Sequence, residues 1–169
     1  MSRKVKGTAI NNIEYTGIVT ISQYTKGKKN VIAEVHNVGG KPLFNFLADC
    51  LLGDYATAAN DRPIKILLLN IDDNGNKHIA ESTTFISLLA APEKIHSEDS
   101  GRVRYSFIIP QEYFAAGSPG SVRFNAIGLY ANSATGPDDY AAYCEVDTSN
   151  WSISMTSVIV LDWELHISN

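Results

Sequence analysis

The chain carries only two cysteines, two methionines and two tryptophans in 169 residues, and what is scarce narrows its chemistry first. Two cysteines support at most one disulfide, far from the dense cross-linking of small secreted scaffolds. Cys50 lies in an apolar helical pattern and Cys144 in a strand-like one. Both read as small buried thiols of a protein folded in a reducing cytoplasm. No apolar run approaches the roughly 18 residues that span a bilayer, and the opening MSRKVKGTAINN holds no apolar stretch of signal-peptide length. Positive charge is not in excess: 14 Lys and Arg face 18 Asp and Glu, a net charge of −4. That balance argues against nucleic acid as the main partner, because phosphate binding needs a clustered positive surface.

Signatures of catalysis are missing as well. His36, His78, His96 and His166 are scattered, with no HxH or HxxxH spacing, and no CxxC occurs. There is no Gly-x-Ser-x-Gly elbow, and Gly39-Gly40 precedes a helix without the Lys-Ser/Thr of a phosphate-binding loop. The expectation is a protein that is not an enzyme, with no catalytic, cofactor or metal residues to name.

What is present is ordinary globular material, 44% hydrophobic and 19% charged, long enough for one domain with a sizeable core. Residues 1–12 read as a flexible basic arm, with Arg3, Lys4 and Lys6, and residues 13–169 as a single β-sandwich domain. A second basic stretch follows at Lys26, Lys28 and Lys29. These stretches are either plainly solvated or dock onto an acidic protein surface.

The strand pattern is clearest at the end of the chain. In Ser157–Ser168, Ile159, Leu161, Trp163, Leu165 and Ile167 share one parity, and Asp162, Glu164, His166 and Ser168 the other. That alternation marks a strand with one buried face. Arg102–Ile109 repeats it, with Val103, Tyr105, Phe107 and Ile109 inward. Ile13–Thr25 and Asn30–Asn37 form a hairpin about Lys26–Lys29, with Val31, Ala33 and Val35 on one face. Further strands are expected at Ile64–Ile71, Lys77–Ala80, Thr83–Ala91, Ser121–Tyr130 and Ala141–Asp147. Pro92–Gly101 reads as a charged loop, and Gln111–Ala115 as a short helical turn. One helix stands out: Leu43, Phe44, Phe46, Leu47, Cys50 and Leu51 recur at helical spacing, Pro42 suits its first turn and Gly53 its end. Asp54–Arg62 reads as a loop. Many short strands with one helix after the first hairpin predict a mainly β fold, an antiparallel β-sandwich with a helix inserted.

One stretch offers metal chemistry. In Asn70–Glu81, NIDDNGNKHIAE, a calcium-loop reading puts Asn70, Asp72 and Asn74 at alternate ligand positions, Gly75 at the sharp turn and Glu81 as the bidentate carboxylate. The first ligand, however, is Asn, the flanks are strand-like, and Asn74-Gly75 is a hairpin signal in its own right. The hairpin reading prevails. Asp138, Asp139 and Asp147 read as solvated loop charges, and Tyr15, Tyr24, Tyr105, Tyr130, Tyr140 and Tyr143 as core or rim residues.

Four segments together carry a resemblance: Asn37-Val38-Gly39-Gly40, the apolar helix from Pro42 to Gly53, Phe124-Asn125-Ala126-Ile127-Gly128-Leu129-Tyr130, and Leu161-Asp162-Trp163-Glu164-Leu165. Their order is similar to that in tailed-bacteriophage virion proteins, including tail and collar-fibre N-terminal domains. Ala126 departs from that pattern, in which Glu is frequent, so no role of that carboxylate carries over. The resemblance implies an accessory capsid, collar, head-fibre or tail part, made and folded in the host cytoplasm and ending in the virion. Such a part works by self-association and by docking to other virion proteins, with no cofactor, no nucleic acid and no membrane. From a different class comes a carbohydrate- or receptor-binding β-sandwich module, calcium-assisted at Asn70–Glu81. A serine hydrolase ranks third.

Overall fold

The computed structural model describes residues 14–80, 83–88, 92–97, 100–109, 123–145 and 158–168. Two antiparallel sheets face each other. In the first, the strand order is β2 (Lys28–His36), β1 (Glu14–Thr25), β11 (Val158–Ser168), β8 (Ser100–Ile109) and β7 (Glu93–Ser97). In the second, it is β3 (Val38–Gly39), β10 (Tyr140–Glu145), β9 (Ala126–Ala131), β4 (Pro63–Ile71) and β5 (Lys77–Ile79). The short β6 (Ile86–Ser87) pairs with the early part of β4, so β5 and β6 share one edge of that strand. The mainly β, antiparallel fold expected from the pattern is what forms.

β11 sits at the centre of the first sheet, paired with β1 from Glu14↔Ser168 to Tyr24↔Val158 and with β8 on its other side. Its alternation is realised in full where side chains are described. Ile159, Leu161, Trp163 and Leu165 are buried, and across the ladder Val19, Trp163 and Tyr105 lie in one row. These residues pack against Ile66, Leu68, Ile127, Leu129 and Cys144 of the second sheet. Burial pushes the Cys144 thiol up to about 12, whereas Cys50 is only partly covered. A maleimide should therefore label Cys50 in the native protein and Cys144 only after denaturation, as intact-mass spectra would show; equal labelling of both would contradict this packing.

β4 and β9 do not alternate, because both faces of the second sheet are covered at its centre. Leu67, Leu69, Ala126 and Tyr130 form a second cluster on the far side, roofed by Phe85 and Tyr140. A continuous apolar run such as Ile66–Leu69 is what a strand buried on two faces requires.

The chain passes from one sheet to the other at Asn37–Gly40. Asn37 donates its backbone N–H to the Gly17 carbonyl of β1 at 3.0 Å, and three residues later Gly40 donates to Ala141 of β10 at 2.6 Å. A Cβ on Gly40 would lie 2.8 Å from the Tyr140 carbonyl oxygen and 2.9 Å from that of Ala141, closer than real Cβ contacts allow. The glycine permits the crossing, and α1 (Lys41–Leu52) starts directly after it with Pro42 in its first turn. Leu43 of α1 enters the core, with Phe46 and Leu47 packed against it. Gly53 ends the helix in the left-handed region, φ 77°.

Several expectations are corrected. Asp54–Arg62 is not all loop: α2 (Tyr55–Asp61) forms there, capped by Asp54, whose carboxylate accepts from Thr57 N at 3.1 Å and Thr57 Oγ1 at 2.9 Å. These bonds hold the Asp54 carboxyl below its ordinary value. Pro92–Gly101 is not a loop but contains β7 and the start of β8; its charged sequence is that of an edge strand. Val31 does not share the half-buried side of Ala33 and Val35, because a bulge opposite Ile21/Ser22 shifts the register and turns it outward. Strand is seen at Ile86–Ser87 rather than along the whole of Thr83–Leu88, and β9 begins at Ala126. The arm 1–12, the turn expected at 111–115, Glu81 and Asp147 lie outside the described residues.

Candidate functional site

The calcium-loop candidate folds as a hairpin tip. Asp72 Oδ1 accepts from the backbone N–H groups of Asn74 and Asn76, both at 2.9 Å, and Oδ2 accepts from Asn76 Nδ2 at 2.9 Å, with His78 Nε2 at 3.5 Å. Asn70 points its Nδ2 at the Arg123 carbonyl. Both oxygens of the central carboxylate are thus occupied by the turn's own donors. The side chain and backbone of Asn76, ahead of the other donors, pull the Asp72 carboxyl down to about 2 from 3.8. A depressed folded value gives stability that is full above 3.8 and is lost as pH falls toward 2. Hydrogen exchange should show the Asn74 and Asn76 amides losing protection over that window; unchanged protection down to pH 2 would contradict the cap.

The other polar candidates do not converge. His36 and His78 are exposed on different sheets, and His166 lies 3.4 Å from Thr16 Oγ1 on β1. Asp139 is taken up by its own loop, accepting from Thr135 N and Gly136 N. No group of three or more His, Cys, Asp or Glu placed to hold a metal ion occurs among the described residues. A cleft of about 290 Å³ opens where Pro42 and Asn45 of α1, Asp61 of α2 and the β9–β10 turn meet. No helix among the described residues is long and apolar enough to cross a membrane.

The notable surfaces are apolar instead. On the outer face of the first sheet, the register places Val31 beside Ser22, Val160 and Ile108 in one row and Tyr24 beside Val158 in the next. Tyr24, Val31, Ile108 and Val158 are exposed, Val31 to 60%. Toward the other end of this face, charge takes over. Arg104 donates to Glu164 Oε1 from Nε at 2.9 Å and Nη2 at 2.7 Å, Ser106 donates to Asp162 at 2.6 Å, and Lys29 lies 3.6 Å from Asp162.

A second apolar surface lies on the helices. Phe44, Ala48, Leu51 and Leu52 recur at helical spacing on the outward side of α1, and Tyr55 continues them into α2. Leu51 is 86%, Leu52 82% and Tyr55 73% exposed. Of the six apolar residues that mark the helix, Phe44 and Leu51 are therefore exposed. The sheet patch was not anticipated, yet it left a signal. Val158–Leu161 and Phe107–Ile109 are apolar at both parities, and these stretches are paired with each other. Loss of alternation at one end of two neighbouring strands marks an apolar outer face. Comparison with protein-family models, curated proteins and solved structures finds no match for this chain.

Proposed function

We propose that the protein is a non-enzymatic structural component of a tailed-phage virion, acting by self-association and by docking to neighbouring virion proteins. The observation that carries this reading is the pair of exposed apolar surfaces on a two-sheet scaffold. Contiguous apolar surface of this kind is the mark of a protein–protein contact. The segments behind the virion resemblance also have coherent structural work. Asn37–Gly40 links the sheets, Gly128 and Tyr130 interlock, and Trp163 sits at the core of the central strand. Accessory capsid, collar, head-fibre and tail positions all fit a part of this kind. The test is density-gradient purification of particles from a culture producing this chain, with mass spectrometry across the gradient. The chain should co-band with the particles; recovery only among unassembled proteins would overturn the reading.

The cleft supports a second reading, a carbohydrate-binding module, since Asn45, Asp61, Ser133 and Asp139 put polar groups around it. A glycan-array signal abolished by Asp61→Ala would favour it over the structural role.

A further inference from the structure

We infer that copies of this chain associate head to tail, the α1–α2 ridge of one copy seating on the outer apolar patch of the first sheet of the next. The inference deepens the virion reading, and rests on it for its biological setting, by naming the partner of these surfaces as a second copy.

Charge decides the pairing. The ridge of Leu51, Leu52 and Tyr55 is bordered by Asp49 and the exposed Asp54, at the turn between the helices. The sheet patch of Tyr24, Val31 and Val158 lies at the end of the β1–β2 hairpin, bordered by the exposed Lys26 and Lys28, while Lys29 is paired with Asp162 of its own sheet. Ridge against ridge would bring carboxylates together, and patch against patch would crowd lysines; both carry a like-charge penalty. Ridge against patch sets lysine opposite aspartate around an apolar centre. The two surfaces are different, so the contact is heterologous and propagates from copy to copy. It closes into a ring or extends as a filament according to the rotation between neighbours. Each surface offers on the order of several hundred Å², below the roughly 800 Å² per partner of a standard stable interface. Association of the isolated chain is therefore weak and concentration-dependent, and strengthens when many contacts form together.

Sedimentation velocity on the purified full chain tests this with Leu51→Glu, which spoils only the ridge, and Val31→Glu, which spoils only the patch. Both positions are exposed, and thermal melts matching the parent verify folding. The parent chain should form species larger than dimers as concentration rises, and each variant alone should stay monomeric. An equimolar mixture should give a dimer and nothing larger, because the ridge of the Val31→Glu copy still meets the patch of the Leu51→Glu copy. Lys28→Glu should weaken the parent's association at low salt. The inference is overturned by a parent chain that stays monomeric up to about 0.5 mM, by either variant associating like the parent, or by a mixture that stays monomeric. Gradient co-banding with no such association would leave the virion reading standing and remove this pairing. Head-to-tail association with no co-banding would do the reverse.

Discussion

Replacing Trp163 by alanine should cost about 3–5 kcal/mol of stability, the largest loss expected from any single truncation among the described residues. The indole is fully buried on the inward side of β11, the strand that holds the middle of the first sheet with β1 on one side and β8 on the other. Neither neighbour can collapse into the space, because each is locked to β11 in register and carries its own core residues, Val19 and Tyr105, beside the vacancy. The result should be a cavity and a melting temperature lower by roughly 10 °C for a domain of this size. Trp163→Phe is the informative companion. The indole Nε1–H has no hydrogen-bond partner among the described residues, so a benzene ring gives up packing but no bond and should cost less than half as much. Equal losses for the two variants would show that the N–H, rather than the buried bulk, carries the stability.

The second large effect is at Gly128. A Cβ there would lie 2.3 Å from Tyr130 Cε2 and 2.8 Å from its Cζ and Oη. The tyrosine ring cannot swing away cheaply: it is buried, donates its hydroxyl to the Pro137 carbonyl at 2.8 Å and meets Phe85 edge-on at 5.2 Å. Nor can the backbone retreat, since β9 is paired with β10 and β4. Gly128→Ala should therefore cost about 2–4 kcal/mol, combining overpacking with a strained or lost phenol bond. A double-mutant cycle with Tyr130→Ala isolates the cause. Once the ring is gone, alanine at 128 should cost less than about 0.5 kcal/mol more, and simple additivity would mean the penalty lies elsewhere.

The sequence pattern was legible where one face of an element is buried and the other wet. β8 and β11 alternate because sheet geometry forces side chains to opposite faces, and α1 was marked by Pro42 and Gly53. The pattern failed where something other than periodicity sets the structure. α2 has too few residues for a stripe and rests on the Asp54 cap and on packing against α1. β7 is charged because it is an edge, and Val31 changes face through a bulge that only its partner strand reveals. The bonding of Asn125 was not legible either. Its side chain exchanges two hydrogen bonds with the Ile71 backbone, at 2.7 and 2.8 Å, as a strand residue would. The interaction surfaces were the least legible. Tyr24, Val31, Ile108 and Val158 come from four strands, and only the register of the ladder gathers them.

The central claim is that this chain is a built-in part of a particle. It is tested most directly by the copy number of the chain in gradient-purified virions, counted by mass spectrometry against isotope-labelled peptides from β11 and α1. A fixed number of copies per particle, reproduced between preparations, is the predicted result. Trace amounts that vary between preparations, with the bulk of the chain left in the unassembled fraction, would contradict it.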